Sequence, residues 1–189
     1  MTVRRRQNGF RWIAFGAWVS ACLFALPAHA DSDKFMCIEG VEGGSSSTQF
    51  PGCSEVFAYS QETPVDTSPV TGTPACFEVV VVKPIDTASP QLFLTALGER
   101  VLRLVDVYFR SKGPSPRVIF RARMRDVFIA RIRNSEGSGD DGTSGVPIQM
   151  EQLVLIPTRL KLFFTPINDD GTAGPPISAG WDCTANRPF

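Results

Sequence analysis

Histidine is almost missing from this sequence. The single histidine among its 189 residues is His29, and it lies in a segment that we expect to be removed. Without an imidazole, a protein cannot activate a serine or cysteine nucleophile in the usual way, and it loses the commonest metal ligand. Only carboxylates, lysine and tyrosine would remain for acid–base chemistry. We therefore predict that the protein is not an enzyme and has no catalytic residue.

Recognisable metal-binding patterns are missing as well. The five cysteines form no C-x-x-C pair, which is the spacing typical of structural zinc sites. Two carboxylate pairs, Asp140-Asp141 and Asp169-Asp170, each lie in a D-D-G-T run. A calcium loop instead places its acidic ligands at alternating positions, so we interpret both pairs as turn residues. The sequence therefore predicts no metal site and no cofactor.

Residues 1–30 have the features of an export signal. A basic start without acidic residues leads into an apolar run, Trp12 to Leu26, that is short for a membrane span. Ala28-His29-Ala30 then offers a cleavage site, so we expect a mature chain, 31–189, in the periplasm or outside the cell. The alternatives are lipidation at Cys22, which ends a lipobox-like V-S-A-C, and an uncleaved membrane anchor.

The mature chain would be mildly acidic and the size of one domain. Cleavage after Ala30 leaves 15 Lys or Arg residues against 19 Asp or Glu residues in a chain of 159 residues. This balance gives no overall attraction to nucleic acid or to anionic membranes. We therefore expect no nucleic-acid partner, no stable membrane span after cleavage, and a single domain over residues 31–189.

Four cysteines remain after cleavage. An even number in an exported chain favours two disulfides, and four free thiols are the alternative. We favour Cys37–Cys53, which would close the Gly- and Ser-rich loop between them, and Cys76–Cys183, which would attach the end of the sequence to the body.

Alternation of apolar and polar residues predicts a mainly β protein. We place strands at Lys34–Val41, Glu55–Gln61, Cys76–Val82, Arg100–Arg110, Val118–Arg133, Gln149–Ile156 and Arg159–Phe164. The segment Thr165–Asp182 is rich in Gly and Pro, and we interpret it as a shaped loop that leads to one anchor, Trp181. Six to eight strands with one short helix predict a small antiparallel β-barrel or sandwich.

The helix is predicted over about residues 90–97. Ser89 suits the N-cap, Pro90 suits the first helical position and Gly98 suits the exit. A helix of two turns is not stable alone, so it must pack on the sheet. Its predicted apolar face consists of Leu92, Phe93, Ala96 and Leu97.

Arginines occupy alternate positions of the strand that begins at Val118. They are Arg121, Arg123, Arg125, Arg131 and Arg133, whereas Phe120, Ala122, Met124, Phe128, Ala130 and Ile132 take the opposite, inward phase. The stripe is either a basic wall that binds an acidic partner or a solvated face that carboxylates such as Asp106 or Glu78 neutralise.

Several segments, in order, resemble the Hcp family of type VI secretion. FMCIEGV resembles the opening strand of that family, SEVFAYS its second strand, KPIDTASPQLF its strand-to-helix junction and MRDVFI a later strand. A Gly-x-Pro and a closing AGWD complete the order. The matching residues are Lys83, Asp86, Ala88, Ser89, Pro90, Leu92, Phe93, Gly145, Pro147, Ala179, Gly180, Trp181 and Asp182.

The resemblance implies a barrel subunit with one helix that assembles into a hexameric ring. Rings of this family stack into a tube that can carry secreted effector proteins, and the family has no catalytic residues to transfer. Its members usually lack an export signal. We therefore expect an Hcp-like ring subunit diverted to the periplasm or outside the cell. The alternative is a monomeric exported β-barrel that binds a ligand or a partner protein.

Overall fold

A computed structural model describes residues 32–63, 77–137, 148–168 and 170–189. The predicted export signal with Cys22, together with Cys76, Asp140-Asp141, Gly145, Pro147 and Asp169, lies outside the described residues. The described chain contains one helix, α1 (Ser89–Leu97), and nine strands: β1 (Ser32–Ile38), β2 (Ser54–Val56), β3 (Ala58–Glu62), β4 (Glu78–Pro84), β5 (Leu102–Ser111), β6 (Val118–Gly137), β7 (Ile148–Phe164), β8 (Ile177–Asp182) and β9 (Arg187–Pro188).

Seven strands form one path of antiparallel pairs in the order β2-β1-β5-β6-β7-β4-β3. The two ends of this path are consecutive in the chain, because only Phe57 separates β2 from β3. The N–H of Phe57 donates to the carbonyl of Val82 on β4 at 2.8 Å. The sheet thus closes on itself as a small barrel, which confirms the predicted fold class.

β7 is one strand rather than the two that we predicted. It pairs with β6 along its length, and its second neighbour changes from β4 to β8 part-way. Pro157 lies between the stretches that pair with these two neighbours. The proline and the polar residues beside it look like a strand break in the sequence, but the partner change accommodates them.

The predicted alternation of β6 fails at one residue. Asp126 adopts a left-handed backbone with φ of 50°, and its side chain is exposed. Beyond it the buried positions are Val127 and Ile129, so the predicted inward orientation of Phe128 and Ala130 is wrong. A left-handed residue within a strand interrupts the pleat and moves the following side chains to the other face.

The barrel interior is filled by apolar side chains from seven strands and from α1. Val79, Val81, Val105, Val107 and Met124 are fully buried there, and Leu92 joins them from the helix. Three aromatic rings cover one end, because Phe109 meets Phe120 edge-on at 5.0 Å and Tyr59 lies across both. This packing gives the closed sheet its main hydrophobic stabilisation.

A second, smaller apolar cluster lies on the outer side of β1. Residues 42–53 cross over it, and we call this segment the strap. Phe50 of the strap stacks on Phe35 with ring centroids 4.5 Å apart. A disulfide joins Cys37 of β1 to Cys53 at the end of the strap, which confirms the first predicted bridge. The second stays a prediction: Cys183 is buried in the main core, but Cys76 is not described.

The helix begins close to the predicted position. Its N-cap is Ala88 rather than Ser89, so that prediction is off by one residue. Pro90 lies in the first turn and Gly98 ends the helix, as predicted. The side chain of Ser89 does not cap the helix in the usual way, because it hydrogen-bonds to other elements of the barrel. Within the described residues, the structure contains no helix with the length and apolar character of a membrane span.

The predicted apolar face of α1 is only partly correct. Leu92 is fully buried and Ala96 packs against the core, but Phe93 and Leu97 are 54% and 68% exposed. Leu94 is exposed as well. The buried side of the helix is instead completed by Thr95, whose hydroxyl donates to a backbone carbonyl one turn earlier. The face of α1 that points away from the core is therefore partly apolar and exposed.

The C-terminal segment is a loop only in its first part. Asp170 and Gly171 form a tight turn, in which the Asp170 carboxylate accepts a hydrogen bond from the N–H of Thr172. The stretch that ends in Trp181 is a strand, β8, so its prediction as a loop is wrong. β8 was not predicted because it contains glycine and small side chains, and such residues rarely indicate a strand.

Candidate interaction surfaces

Lys83 of β4 is fully buried, and its ammonium group lies between two carboxylates. The Nζ atom is 2.6 Å from Oδ1 of Asp86 and 2.7 Å from Oε1 of Glu151 on β7. Ser89 of α1 donates a hydrogen bond to the same Glu151 oxygen at 2.8 Å. These side chains tie β4, β7 and the start of α1 together in one corner of the barrel.

Backbone groups hold Asp86 in this corner. Its carboxylate accepts hydrogen bonds from the N–H groups of Gly44 and Ala88, each at 3.0 Å. Burial acts to raise the pKa of Asp86, but the hydrogen bonds from Lys83 and Gly44 outweigh burial and lower that pKa. The carboxylate therefore stays charged and fastens both the strap and the helix to β4. Lys83, Asp86 and Ser89 thus form a structural joint, with no ammonium surface left for a ligand.

Asp106 of β5 lies among the arginines of β6. It accepts two hydrogen bonds from Arg121, at 2.9 and 2.8 Å, and two from Arg123, at 3.0 and 3.2 Å. Burial raises the pKa of the Asp106 carboxyl, and the guanidinium group of Arg121 opposes this rise. Asp106 is thus a counter-ion of the stripe, which is what the alternative of a neutralised face expected. Glu78 is not, because it lies on β4, which does not neighbour β6.

The basic surface is wider than the sequence suggested. On β7, Arg159 lies directly opposite Arg125, and Lys161 lies directly opposite Arg123. We call the five cations Arg121, Arg123, Arg125, Arg159 and Lys161 the basic face. The alternating charges of β7 were visible in the sequence, but only the register of the hairpin places them beside the arginines of β6.

Arg131 and Arg133 are not part of the basic face. They are exposed on the distal half of β6, where their cross-strand neighbours are Val154 and Gln152. The predicted stripe is therefore divided into two groups by the irregular stretch between Asp126 and the bulge after Ile129.

A cleft opens in the middle of the basic face. Its volume is about 200 Å³, and we call it the basic cleft. It is lined by Arg123, Arg125, Arg159, Lys161, Phe163 and Phe189. Lys161 lies over both rings, 5.7 Å from the centroid of Phe163 and 5.6 Å from that of Phe189.

Nowhere in the described residues is a group of three or more His, Cys, Asp and Glu side chains arranged to hold a metal ion.

The opposite face of the same strands is apolar and only partly covered. Trp181 and Ile177 of β8 lie opposite Leu160 and Phe164 of β7, so paired residues share a face. Leu160 is buried in the core, whereas Phe164 and Ile177 are 51% and 65% exposed. The apolar rows of the core thus continue onto β8, where Ile177 is open and Trp181 is 36% exposed.

The comparison with protein families decides the identity of the chain. The family model described as "Type VI secretion system effector, Hcp" matches residues 35–157. This protein belongs to the Hcp family. The match runs from β1 through the joint at Lys83 and most of the β6–β7 hairpin, so it covers the greater part of the barrel. Membership places the protein among the structural tube proteins of type VI secretion.

Solved structures show the same fold. Hcp1 from Salmonella typhimurium is 21% identical with a TM-score of 0.66, over 84% of this chain and 99% of that one. A structure titled as a type six secretion system protein is 17% identical with a TM-score of 0.72, over 84% and 100% of the two chains. A type VI secretion system effector from Yersinia pestis is 21% identical with a TM-score of 0.61, over 79% and 99%. No curated protein sequence matches this one.

The resemblance residues of this Hcp-family protein differ in burial and fall into two groups. Lys83, Asp86, Ser89 and Leu92 are buried or partly buried in the joint between barrel and helix. Phe93 and Trp181 are exposed in part and lie on apolar surfaces that remain open. The first group maintains the fold, and the second is available for contact with another molecule.

Proposed function

We propose that this protein is a non-enzymatic ring subunit of the Hcp type that acts outside the cytoplasm. It assembles with copies of itself, as a hexamer by family resemblance, and binds partner proteins such as secreted effectors on its basic face. The observation that carries the proposal is the apolar surface of β8. Monomeric proteins rarely leave the apolar rows of their core uncovered at one edge, and such surfaces mark association sites.

Ring closure needs two different surfaces on each subunit. A cyclic assembly with more than two members uses a head-to-tail interface, in which one surface meets another on the next copy. The described residues include one apolar surface formed by Phe164, Ile177 and Trp181 on β7 and β8, and another formed by Phe93, Leu94 and Leu97 on α1. This arrangement supports assembly into a ring.

We expect the purified protein to form a ring that one substitution disrupts. Ile177→Asp places a charge on the exposed apolar surface of β8, where burial against a neighbour would leave it unpaired. Size-exclusion chromatography with light scattering should give a hexamer for the parent protein and a monomer for the variant. Ser178→Asp is the matched control, because it adds the same charge on the other face of β8. A parent protein that stays monomeric at micromolar concentration contradicts ring assembly and favours the monomeric binding module.

The Cys37–Cys53 disulfide supports export. Disulfides persist in the periplasm and outside the cell, whereas the reducing cytoplasm keeps most thiols free. The basic start of the sequence and the A-x-A site before Asp31 support the same location.

Fractionation of the native cell should recover the protein in the periplasm or the medium. N-terminal sequencing of that product should begin at Asp31, and labelling of free thiols should leave Cys37 and Cys53 unmodified. A cytoplasmic product that retains residues 1–30 and reacts at both thiols contradicts export. A product that begins with a lipidated Cys22 identifies a membrane-attached form instead.

A further inference from the structure

The basic cleft contains two cross-strand pairs of like charge, which do not stabilise the sheet. Arg123 faces Lys161 and Arg125 faces Arg159 across the same ladder of β6 and β7. Like charges directly opposite one another destabilise a sheet, and a solvated face normally alternates in sign. The stability of the fold therefore does not account for four cations at these positions.

The carboxylates of the chain neutralise only part of this charge. Asp106 is shared by Arg121 and Arg123, and Asp182 pairs with Arg159 at 2.7 Å. Among the residues that the structure describes, no carboxylate lies within salt-bridge distance of Arg125 or Lys161. Asp106 also attracts Arg125, but from beyond that distance. Two cations on neighbouring strands, in adjacent rows, thus have no carboxylate in direct contact and can bind an external anion.

The spacing of the rows indicates the form of this anion. Successive cross-strand pairs on one face of a sheet are two residues apart, which is about 6.8 Å. The row of Lys161 and the row of Arg125 are separated by this distance along the strands. An extended peptide repeats its side chains on one face at the same interval, so carboxylates at alternate positions would meet successive rows.

The aromatic walls argue against nucleic acid as the ligand. Proteins that hold single strands stack bases on open aromatic faces. Here Lys161 lies over both Phe163 and Phe189, and Arg121 also lies over Phe163 at 5.5 Å. The rings are therefore already in contact with cations, and they act as apolar sides that strengthen ion pairing in the cleft.

We propose that the basic cleft binds an extended acidic segment of a partner protein, with carboxylates at alternate positions. One carboxylate pairs with Lys161 and the next with Arg125, while the remaining N–H groups of Arg123 and Arg159 complete the hydrogen bonds. The inference rests on the partner-binding part of the proposed function and names the chemistry of that partner. It requires only one subunit, so it is tested separately from ring assembly.

The test measures binding of a fluorescein-labelled peptide of about five Glu-Thr repeats by fluorescence anisotropy, on the purified Ile177→Asp protein as well as its parent. Arg125→Gln/Lys161→Gln should bind roughly tenfold more weakly or not at all, since both ion pairs are removed. Arg131→Gln/Arg133→Gln is the matched control, because it removes two cations from β6 outside the cleft and should bind as the parent does. The substitutions break no salt bridge. They remove the contacts of Lys161 with Phe163 and Phe189 but also relieve both like-charged pairs, so the melting temperature should change little.

Three results would overturn the proposal. They are equal binding by Arg125→Gln/Lys161→Gln and the parent, equal binding of a Gln-Thr peptide, and tighter binding of a single-stranded oligonucleotide than of the acidic peptide. A reversal supports it: Arg125→Glu/Lys161→Glu should release the Glu-Thr peptide and bind a Lys-Thr peptide. If Ile177→Asp binds the peptide but the parent forms no ring, the ring proposal fails and the cleft proposal stands.

Discussion

Replacing Lys83 with methionine should lower the free energy of unfolding by about 3–5 kcal/mol. The substitution keeps an apolar stem but removes the ammonium group that lies 2.6 Å from Asp86 and 2.7 Å from Glu151. Two carboxylates would then face each other in a region where the Glu151 side chain is only 2% exposed. Urea denaturation, followed by circular dichroism at neutral pH, measures the loss.

Two further variants make this result interpretable. Lys83→Met/Glu151→Leu removes both members of the buried pair and should recover most of the lost stability, because replacing a buried ion pair by apolar groups is often neutral. Arg103→Met is the control for an exposed pair: its contact with Glu39 is 3.5 Å long, and its removal should cost less than about 1 kcal/mol. If Lys83→Met is no less stable than Arg103→Met, the joint does not hold the barrel as described.

Removing the disulfide of the strap should have the next largest effect. Cys37→Ser/Cys53→Ser should lower the free energy of unfolding by about 3 kcal/mol, because the bridge closes a loop of sequence separation 16. The strap would also hold Phe50 less firmly on Phe35, so the outer cluster should become accessible. Urea denaturation gives the loss, and hydrogen exchange at residues 42–53 shows where the structure opens.

The same variant tests the second predicted bridge. It retains Cys76 and Cys183, so any remaining effect of a reducing agent on its stability reports on that pair. We expect reduction to destabilise Cys37→Ser/Cys53→Ser further, and to leave a variant that also carries Cys183→Ala unaffected. Equal stability of the parent and Cys37→Ser/Cys53→Ser under oxidising conditions contradicts a stabilising role for the strap bridge.

The parts of the fold that the sequence predicted are those decided by local chemistry. Cys37 and Cys53 flank a short Gly- and Ser-rich loop, so their pairing needed little knowledge of the remaining chain. Pro90 and Gly98 bounded the helix because each residue favours one end of it. The buried strand β4 was visible as a run of valines.

The features that were missed depend on partners far away in the chain. Ser89 looked like an N-cap, but its hydroxyl bonds to Glu151, which lies 62 residues away. The single left-handed residue Asp126 changed the buried face of β6, and aspartate gives only a weak signal for this conformation. β8 is a strand because it pairs with the C-terminal part of β7, although its own residues favour a loop.

Only part of the candidate site was predicted from the sequence. The arginines of β6 were correctly recognised as one outward face as far as Arg125. Arg159 and Lys161 were missed, because alternation identifies the two faces of a strand but does not give the register between strands. The basic cleft exists only through that register, and no pattern within one strand could have revealed it.

The single residue between β2 and β3 has a consequence for synthesis. Since these two strands are the ends of the sheet path, the barrel closes only when β4 has found β7, and β7 begins at Ile148, late in the chain. A ribosome must therefore produce most of the polypeptide before its long-range pairs can form, and such pairs also form slowly. Late closure of the barrel would suit the export proposed above, because a translocation channel threads chains that have not completed their fold.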